Sequence, residues 1–205
     1  MLEIIDCEQG SAEWYAARLG IPTASRFSDI LAKGEGKTRA KYLRELAGEI
    51  IAGEGEADTY TNGHMERGKL LEAEARDLYA FTNNAEPQIV GFIRNGRAGA
   101  SPDSLIGDKG GLEIKSALQH IQIDRLQRDT LPSEHVAQVQ GCLWITERDW
   151  WDFVSYAPRL PLFVKRVYRD EAYITNLAKS VAAFNEELDA LVGSIRGAGQ
   201  FRSAA

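Results

Sequence analysis

Cysteine is scarce in this chain of 205 residues, with two, and histidine nearly so, with three. Cys7 and Cys142 lie far apart among apolar neighbours. They form neither a disulfide framework nor a thiolate metal pattern, and they suit a reducing cytoplasm. No apolar run approaches the roughly 20 residues of a membrane helix. The N-terminus lacks a basic segment followed by an apolar stretch, so no secretion signal is expected. Internal repeats and low-complexity segments are absent too. An excess of positive charge is also missing: 24 Lys and Arg against 30 Asp and Glu leave a net charge of −6. That balance counts against a wholly basic nucleic-acid face. Locally, however, Lys33, Lys37, Arg39, Lys41 and Arg44 oppose only Glu35.

What remains is an ordinary globular composition, 44% hydrophobic and 26% charged. The length predicts one domain over 1–205 with a substantial core and a fraying tail from 197 to 205. Helices are expected at Ser11–Leu19, with Ser11 as N-cap and Gly20 as the stop, and from Thr23 to Leu31. Others follow at Arg39–Ile51, Thr61–Phe81, Gln119–Arg128 and Glu134–Thr146, and a last one is capped by Asp170 and runs to about Ile195. Strands are expected at Gln88–Arg94, Gly99–Ile106, Gly111–Ser116, Trp150–Ala157 and Leu162–Tyr168. Helices before, within and after a few strands predict an α/β (α+β) layer fold with a small mixed sheet flanked by helices.

Ten residues separate the aspartate of Ser101-Pro102-Asp103 from the glutamate of Gly111-Leu112-Glu113-Ile114-Lys115. Strand alternation puts Glu113 and Lys115 on one face and Ile114 on the other. Gly107, Gly110 and Gly111 let the chain turn back, so Asp103 and Glu113 converge as hairpin neighbours. Two carboxylates and an ammonium are the minimum set for metal-dependent phosphodiester hydrolysis. With so few imidazoles and thiols the cation is a hard one, Mg²⁺ or Mn²⁺, held by Asp103 and Glu113 with the Ile114 carbonyl as a further candidate ligand. Lys115 would orient or deprotonate the attacking water.

Three more residues invite two readings each. Met65, Gly68, Glu72, Ala75 and Tyr79 fall on one helical stripe. Glu72 there is either paired with Arg76 or, as favoured beside Asp103 and Glu113, a third acid of the site. Gln138, on a helix covered on more than one side, either bonds a carbonyl or holds a water or phosphate. His135 precedes it by less than a turn and could approach the same place, whereas His64 and His120 read as surface residues.

The chain resembles the phage lambda exonuclease (YqaJ-type viral recombinase) family of the PD-(D/E)xK nucleases. The matching stretches are Glu8-Gln9-Gly10 with Trp14, Arg18-Leu19-Gly20-Ile21-Pro22-Thr23-Ala24-Ser25 and Gly68 to Arg76. They continue with Ser101-Pro102-Asp103, Gly111 to Lys115 and Ala137-Gln138-Val139-Gln140. The resemblance implies a restriction-endonuclease-like core and a 5′→3′ exonuclease on duplex DNA ends that releases mononucleotides and leaves 3′ single strands. It further implies a homotrimeric ring, a single-strand annealing partner and a phage or prophage origin in a bacterial cytoplasm. Asp103 and Glu113 resemble the metal ligands, Lys115 the catalytic lysine, Glu72 the helix-borne acid and Gln138 the active-site glutamine. Arg18 with Ser25 resembles the 5′-phosphate site, consistent with arginine's bidentate geometry and a helix N-terminus. Met65 falls at an apolar wedge position, or is a core residue of its stripe. A restriction-type or junction-resolving endonuclease, a catalytically inactive DNA-end-binding module and a small-molecule metallohydrolase are the alternatives. Closed circular duplex separates the first, binding without a metal-dependent product the second, and weak salt dependence the third.

Overall fold

The computed structural model describes residues 1–32, 36–55 and 63–203, with the side chains of 63–67, 69 and 199–203 left aside. In chain order the elements are β1 (Leu2–Ile5), α1 (Ala12–Arg18), α2 (Phe27–Leu31), α3 (Lys37–Ala52), α4 (Gly63–Asn83), β2 (Pro87–Gln88), β3 (Phe92–Asn95), β4 (Ala98–Ala100), β5 (Ser104–Ile106), β6 (Gly110–Ser116), α5 (Gln119–Arg128), α6 (Val136–Thr146), β7 (Trp150–Tyr156), β8 (Phe163–Tyr168) and α7 (Glu171–Ser203). Short 3₁₀ turns at Ala24–Arg26 and Ser133–His135 lead into α2 and α6. Among these helices none is long and apolar enough to cross a membrane.

Among the described residues the strands form two sheets. One has the order β1-β3-β4, the other β2-β5-β6-β7-β8. In the larger sheet β6 and β7 run parallel, while the other neighbours are antiparallel. The parallel step needs a crossover, which α5 and α6 supply.

Local chemistry accounts for most boundaries. The Ser11 hydroxyl accepts the Trp14 N–H at 3.2 Å and Asp170 accepts that of Tyr173 at 2.9 Å, so α1 and α7 begin where the caps were expected. Thr23 caps nothing with its side chain; the chain first makes the 3₁₀ turn. Asn84, at φ 47°, ends α4. The final helix continues to Ser203, beyond the expected end near Ile195 and through the segment expected to fray. Lys33 and Glu35 of the basic stretch, and the expected helix start at Thr61, lie outside the described residues.

Two expected strands are each divided between the sheets. Gln88–Arg94 becomes β2 and β3, with a break at Gly91, where a Cβ would stand 2.4 Å from the Cys7 carbonyl oxygen. Gly99–Ile106 becomes β4 and β5, separated by Ser101-Pro102-Asp103. The short strand β1, paired antiparallel with β3, was not expected. Its four residues alternate too briefly to register.

Helix α6 lies between the two sheets and also packs on α2 and α7. That position explains its lack of a polar face: Ala137, Val139, Cys142, Leu143 and Ile145 are all buried. With Trp151, Phe153, Phe184 and Leu188 they form the larger core. Each of the buried Val, Leu, Ile and Phe side chains among them contributes about 1.5–3 kcal/mol. On the opposite face of the large sheet, Ala75 and Tyr79 of α4 pack on Leu112, Ile114 and Val154. The stripe read from the sequence of α4 is therefore its contact face.

Candidate active site

The hairpin of β5 and β6 brings the two acids together. Only Gly107 among its glycines needs a left-handed φ, at 50°. Gly110 and Gly111 serve packing instead, since a Cβ on either would meet the ring of Trp150 or Trp151 at 2.1 Å. The β5–β6 pairing ends at Ser104 opposite Leu112. Just beyond it, Asp103 Oδ2 accepts the Ile114 N–H at 2.6 Å. The side chain thus replaces the missing strand neighbour, and this bond fixes the carboxylate over β6.

Glu113 is 1% exposed. Its Oε1 accepts from Lys115 Nζ at 2.5 Å and from Gln138 Nε2 at 2.6 Å. Its Oε2 is buried and has no hydrogen-bond partner among the described residues. Burial of an unpaired carboxylate oxygen is costly. Glu113 and Lys115 share the face toward α6, and Ile114 packs on the other side, as alternation predicts.

Electrostatics follow from this crowding. Burial pushes the Asp103 carboxyl well above its usual range, and the neighbouring charges of Glu113 and Glu72 push it further. Burial disfavours the Lys115 ammonium, but Glu113 and Asp103 outweigh that and raise its pKa above the ordinary lysine value. Lys115 is therefore a cation here. His135 lies on the other side of it, stacked on Phe153 at 4.8 Å between centroids. Burial, then the positive charges of Lys115 and Arg125, lower its pKa to about 4. The neutral ring presents Nε2 at 3.3 Å to the Arg125 guanidinium, which donates.

Glu72 arrives from α4, on the opposite side of the sheet, and is ion-paired with Arg76. Glu72 thus has the arginine partner of its first reading, and its charge disfavours ionisation of Asp103. Arg76 Nε donates to Ser104 Oγ at 3.1 Å. Among the described residues no three His, Cys, Asp or Glu side chains gather as one metal cluster.

Arg18 contacts Ser101, two residues before Asp103 in the chain. Its Nη1 donates to Ser101 Oγ at 3.0 Å, and its guanidinium stacks on Trp14 at 3.9 Å. Trp14 Nε1 bonds the same hydroxyl at 2.9 Å. Burial lowers the Arg18 pKa, and the residue lines a cleft of about 340 Å³ with Thr23, Arg26 and Tyr42. Ser25 is exposed on the 3₁₀ turn, its hydroxyl 3.3 Å from that of Thr23, and makes no bond to Arg18. Met65 falls on α4, but its side chain lies outside those described. His120 is exposed, as expected.

Sequence reading gave Ser101, Trp14 and Gln9 no role of their own in this arrangement, and Arg76 only that of a partner to Glu72. Gln9 Nε2 donates to the Val90 and Pro102 carbonyls at 2.9 and 2.8 Å, securing the backbone before Asp103. The i, i+4 spacing of Glu72 and Arg76 was the one available signal; the other contacts span more than 80 residues of sequence.

The chemistry of the donor set suits a hard divalent cation. Two carboxylates flank the Ile114 main chain, one carboxylate oxygen is buried and unpartnered, and the acids repel one another. Mg²⁺ is commonly bound by one or two carboxylates, the rest of its shell being water and phosphate. Asp103 and Glu113 fit that requirement without a third side chain.

A profile of the YqaJ-like viral recombinase domain matches residues 13–149. The alkaline exonuclease LHK-Exo of Laribacter hongkongensis, in a crystal structure with dAMP, is 36% identical over 93% of this chain and 100% of its own, with a TM-score of 0.86. A phage-related exonuclease of Haemophilus somnus 129PT shares the fold at a TM-score of 0.63, with 16% identity over 85% of this chain and 96% of its own. The uncharacterized ExoD protein of Escherichia coli (strain K12) is 31% identical over 70 residues, 33% of this chain and 80% of that protein.

Proposed function

Because the chain belongs to the YqaJ-like viral recombinase domain family, we propose that it is a metal-dependent 5′→3′ exonuclease. It acts on duplex DNA ends, releases mononucleotides and leaves 3′ single strands for annealing. The observation that carries this reading is the buried, unpartnered Glu113 Oε2 beside Asp103, with the Lys115 ammonium on the same face. Its relative LHK-Exo binds dAMP, a nucleoside monophosphate of the class such a reaction releases.

Asp103, Glu113 and the Ile114 carbonyl would hold Mg²⁺ or Mn²⁺. When bound, the cation supplies Lewis acidity toward the scissile phosphate and lowers the pKa of the attacking water. The protein's own groups do the rest. Lys115, kept protonated by its two acidic neighbours, offers positive charge to the non-bridging oxygens as negative charge builds on them. It can accept a proton only once the charge of those neighbours is taken up elsewhere. Gln138 spends one N–H on Glu113 and keeps its carbonyl to orient a water. Arg18 receives a terminal 5′ phosphate, with Trp14 and Ser101 fixing its plane. Only Pro102 separates Ser101 from Asp103, so their Cα atoms are at most about 7 Å apart. Terminal and scissile phosphates would then be read about one nucleotide apart, which suits a mononucleotide product.

The reading extends to a homotrimeric ring and to a single-strand annealing partner, on the strength of family membership. A ring with its cations turned inward would reconcile a net charge of −6 with a DNA substrate.

Linear duplex labelled at either end, with Mg²⁺, Mn²⁺ or chelator, tests the proposal. The 5′-ended strand is expected to shorten to mononucleotides only with metal, faster from 5′-phosphate ends, while closed circular duplex stays intact. Arg18→Ala should erase the 5′-phosphate preference. Cutting of the closed circle would favour an endonuclease instead.

A further inference from the structure

We infer that Arg76 is a positioning residue. Its guanidinium holds the Glu72 carboxylate against Asp103 and Ser104 at the start of β5 and supplies the counter-charge that keeps these acids together. The inference rests on the proposed divalent-metal reading of the site.

Three contacts distinguish Arg76 from an ordinary pair on a helix surface. One terminal nitrogen, Nη2, pairs with Glu72, and the same nitrogen lies 3.5 Å from the Asp103 carbonyl oxygen. Nε donates to Ser104 Oγ at 3.1 Å. Ser104 is fully buried, and its hydroxyl bonds the Asp103 carbonyl at 2.5 Å. The Arg76 side chain is 15% accessible, against 35% for Glu72. A surface pair leaves both ends in water and swings freely. Here the arginine end is anchored first, and the carboxylate is held by it. The planar fork of a guanidinium can bond a carboxylate on one element and a strand on another at once; an ammonium cannot do so in the same geometry.

The charges around it give the anchor a second role. The charges of Glu113 and Glu72 disfavour the ionised form of Asp103, and the Arg76 guanidinium, paired with Glu72, places a positive charge beside them. Two consequences follow, and they point in opposite directions. Removing the guanidinium leaves the site more negative, so a cation binds more tightly. The same removal frees Glu72 from its place, so turnover falls. A purely structural arginine would change neither in that combination.

The test uses the full chain stripped of metal, titrated with Mn²⁺ by calorimetry or electron paramagnetic resonance, alongside steady-state hydrolysis of linear duplex. Arg76→Met should bind Mn²⁺ up to about tenfold more tightly and lose about tenfold or more in kcat, with KM nearly unchanged. Arg76→Lys should return Mn²⁺ affinity to the wild-type value but leave kcat low, because the charge is restored and the fork is not. Ser104→Ala removes only the anchor; it should lower kcat at constant Mn²⁺ affinity, and it serves in place of Arg76→Met if that variant does not fold. Unchanged or weaker Mn²⁺ binding in folded Arg76→Met, full kcat in Arg76→Lys, or wild-type kcat in Ser104→Ala overturns the assignment. Wild-type protein that binds no Mn²⁺ would instead remove the metal reading beneath it.

Discussion

Glu113 and Asp152 are both 1% exposed and sit on adjacent strands of one sheet, yet they live in opposite circumstances. Asp152 faces α4. Its Oδ2 accepts from Tyr79 Oη at 2.6 Å, and Arg166 grips both oxygens at 2.9 and 2.8 Å. Glu113 faces α6, where Lys115 and Gln138 crowd one oxygen and leave the other buried with no partner among the described residues. Both oxygens of the first acid are met by donors, as a structural group should be. The second has one oxygen without a donor among the described residues, in a place where that costs stability, which fits the catalytic role proposed for it. Burial alone would have ranked the two alike; the donor count separates them.

Exchanging each acid for its amide should break the symmetry between them. Glu113→Gln is expected to lower DNA hydrolysis by about a thousandfold or more, while the thermal midpoint moves little. Asp152→Asn is expected to leave hydrolysis by the folded protein within a few-fold. Its stability should fall by about 1–3 kcal/mol, since Arg166 and Tyr79 lose a charged acceptor; denaturant titration reads that loss. Wild-type hydrolysis by Glu113→Gln would erase the contrast.

A smaller effect sharpens the picture of the α6 face. His135 has a folded pKa near 4, below the unfolded value near 6.5. The unfolded chain therefore binds the proton more readily than the native protein does. The contribution is fully present above pH 6.5 and is lost as pH falls from there toward 4, by about 2–3 kcal/mol. Lys115 and Arg125 face this ring and oppose its protonation, whereas Glu134 favours it. Stability measured by denaturant between pH 4 and 7 should slope in the wild type and flatten over that window in His135→Gln. Parallel curves for the two proteins would show that the ring titrates normally.

Much of the site was legible because its chemistry is local. Asp103, Glu113 and Lys115 stand within thirteen residues, and the strand period fixes which of them share a face. The convergence of the two acids across a hairpin, and the coverage of α6 on several sides, were read correctly for the same reason. Breaks between sheets were not legible. Gly91 and Ser101-Pro102-Asp103 look like interruptions within strands, yet each marks where the chain leaves one sheet for the other. The Arg18–Ser101 and Gln9–Pro102 contacts join segments more than 80 residues apart, and no periodicity announces them.

The sequence by itself determined the inventory: two carboxylates a hairpin apart, one lysine on the glutamate's face, caps at Ser11 and Asp170, and a helix ending at Thr146 that is covered on more than one side. Those follow from residue type and local spacing, because dihedral preference and side-chain alternation act over a few residues. Only the tertiary structure decided which acid is left with an unpaired oxygen, that Arg76 bridges Glu72 to Asp103 and Ser104, and that Ser101 rather than Ser25 meets Arg18. Such outcomes depend on which donors from distant segments reach the same few ångströms, and that is a property of packing.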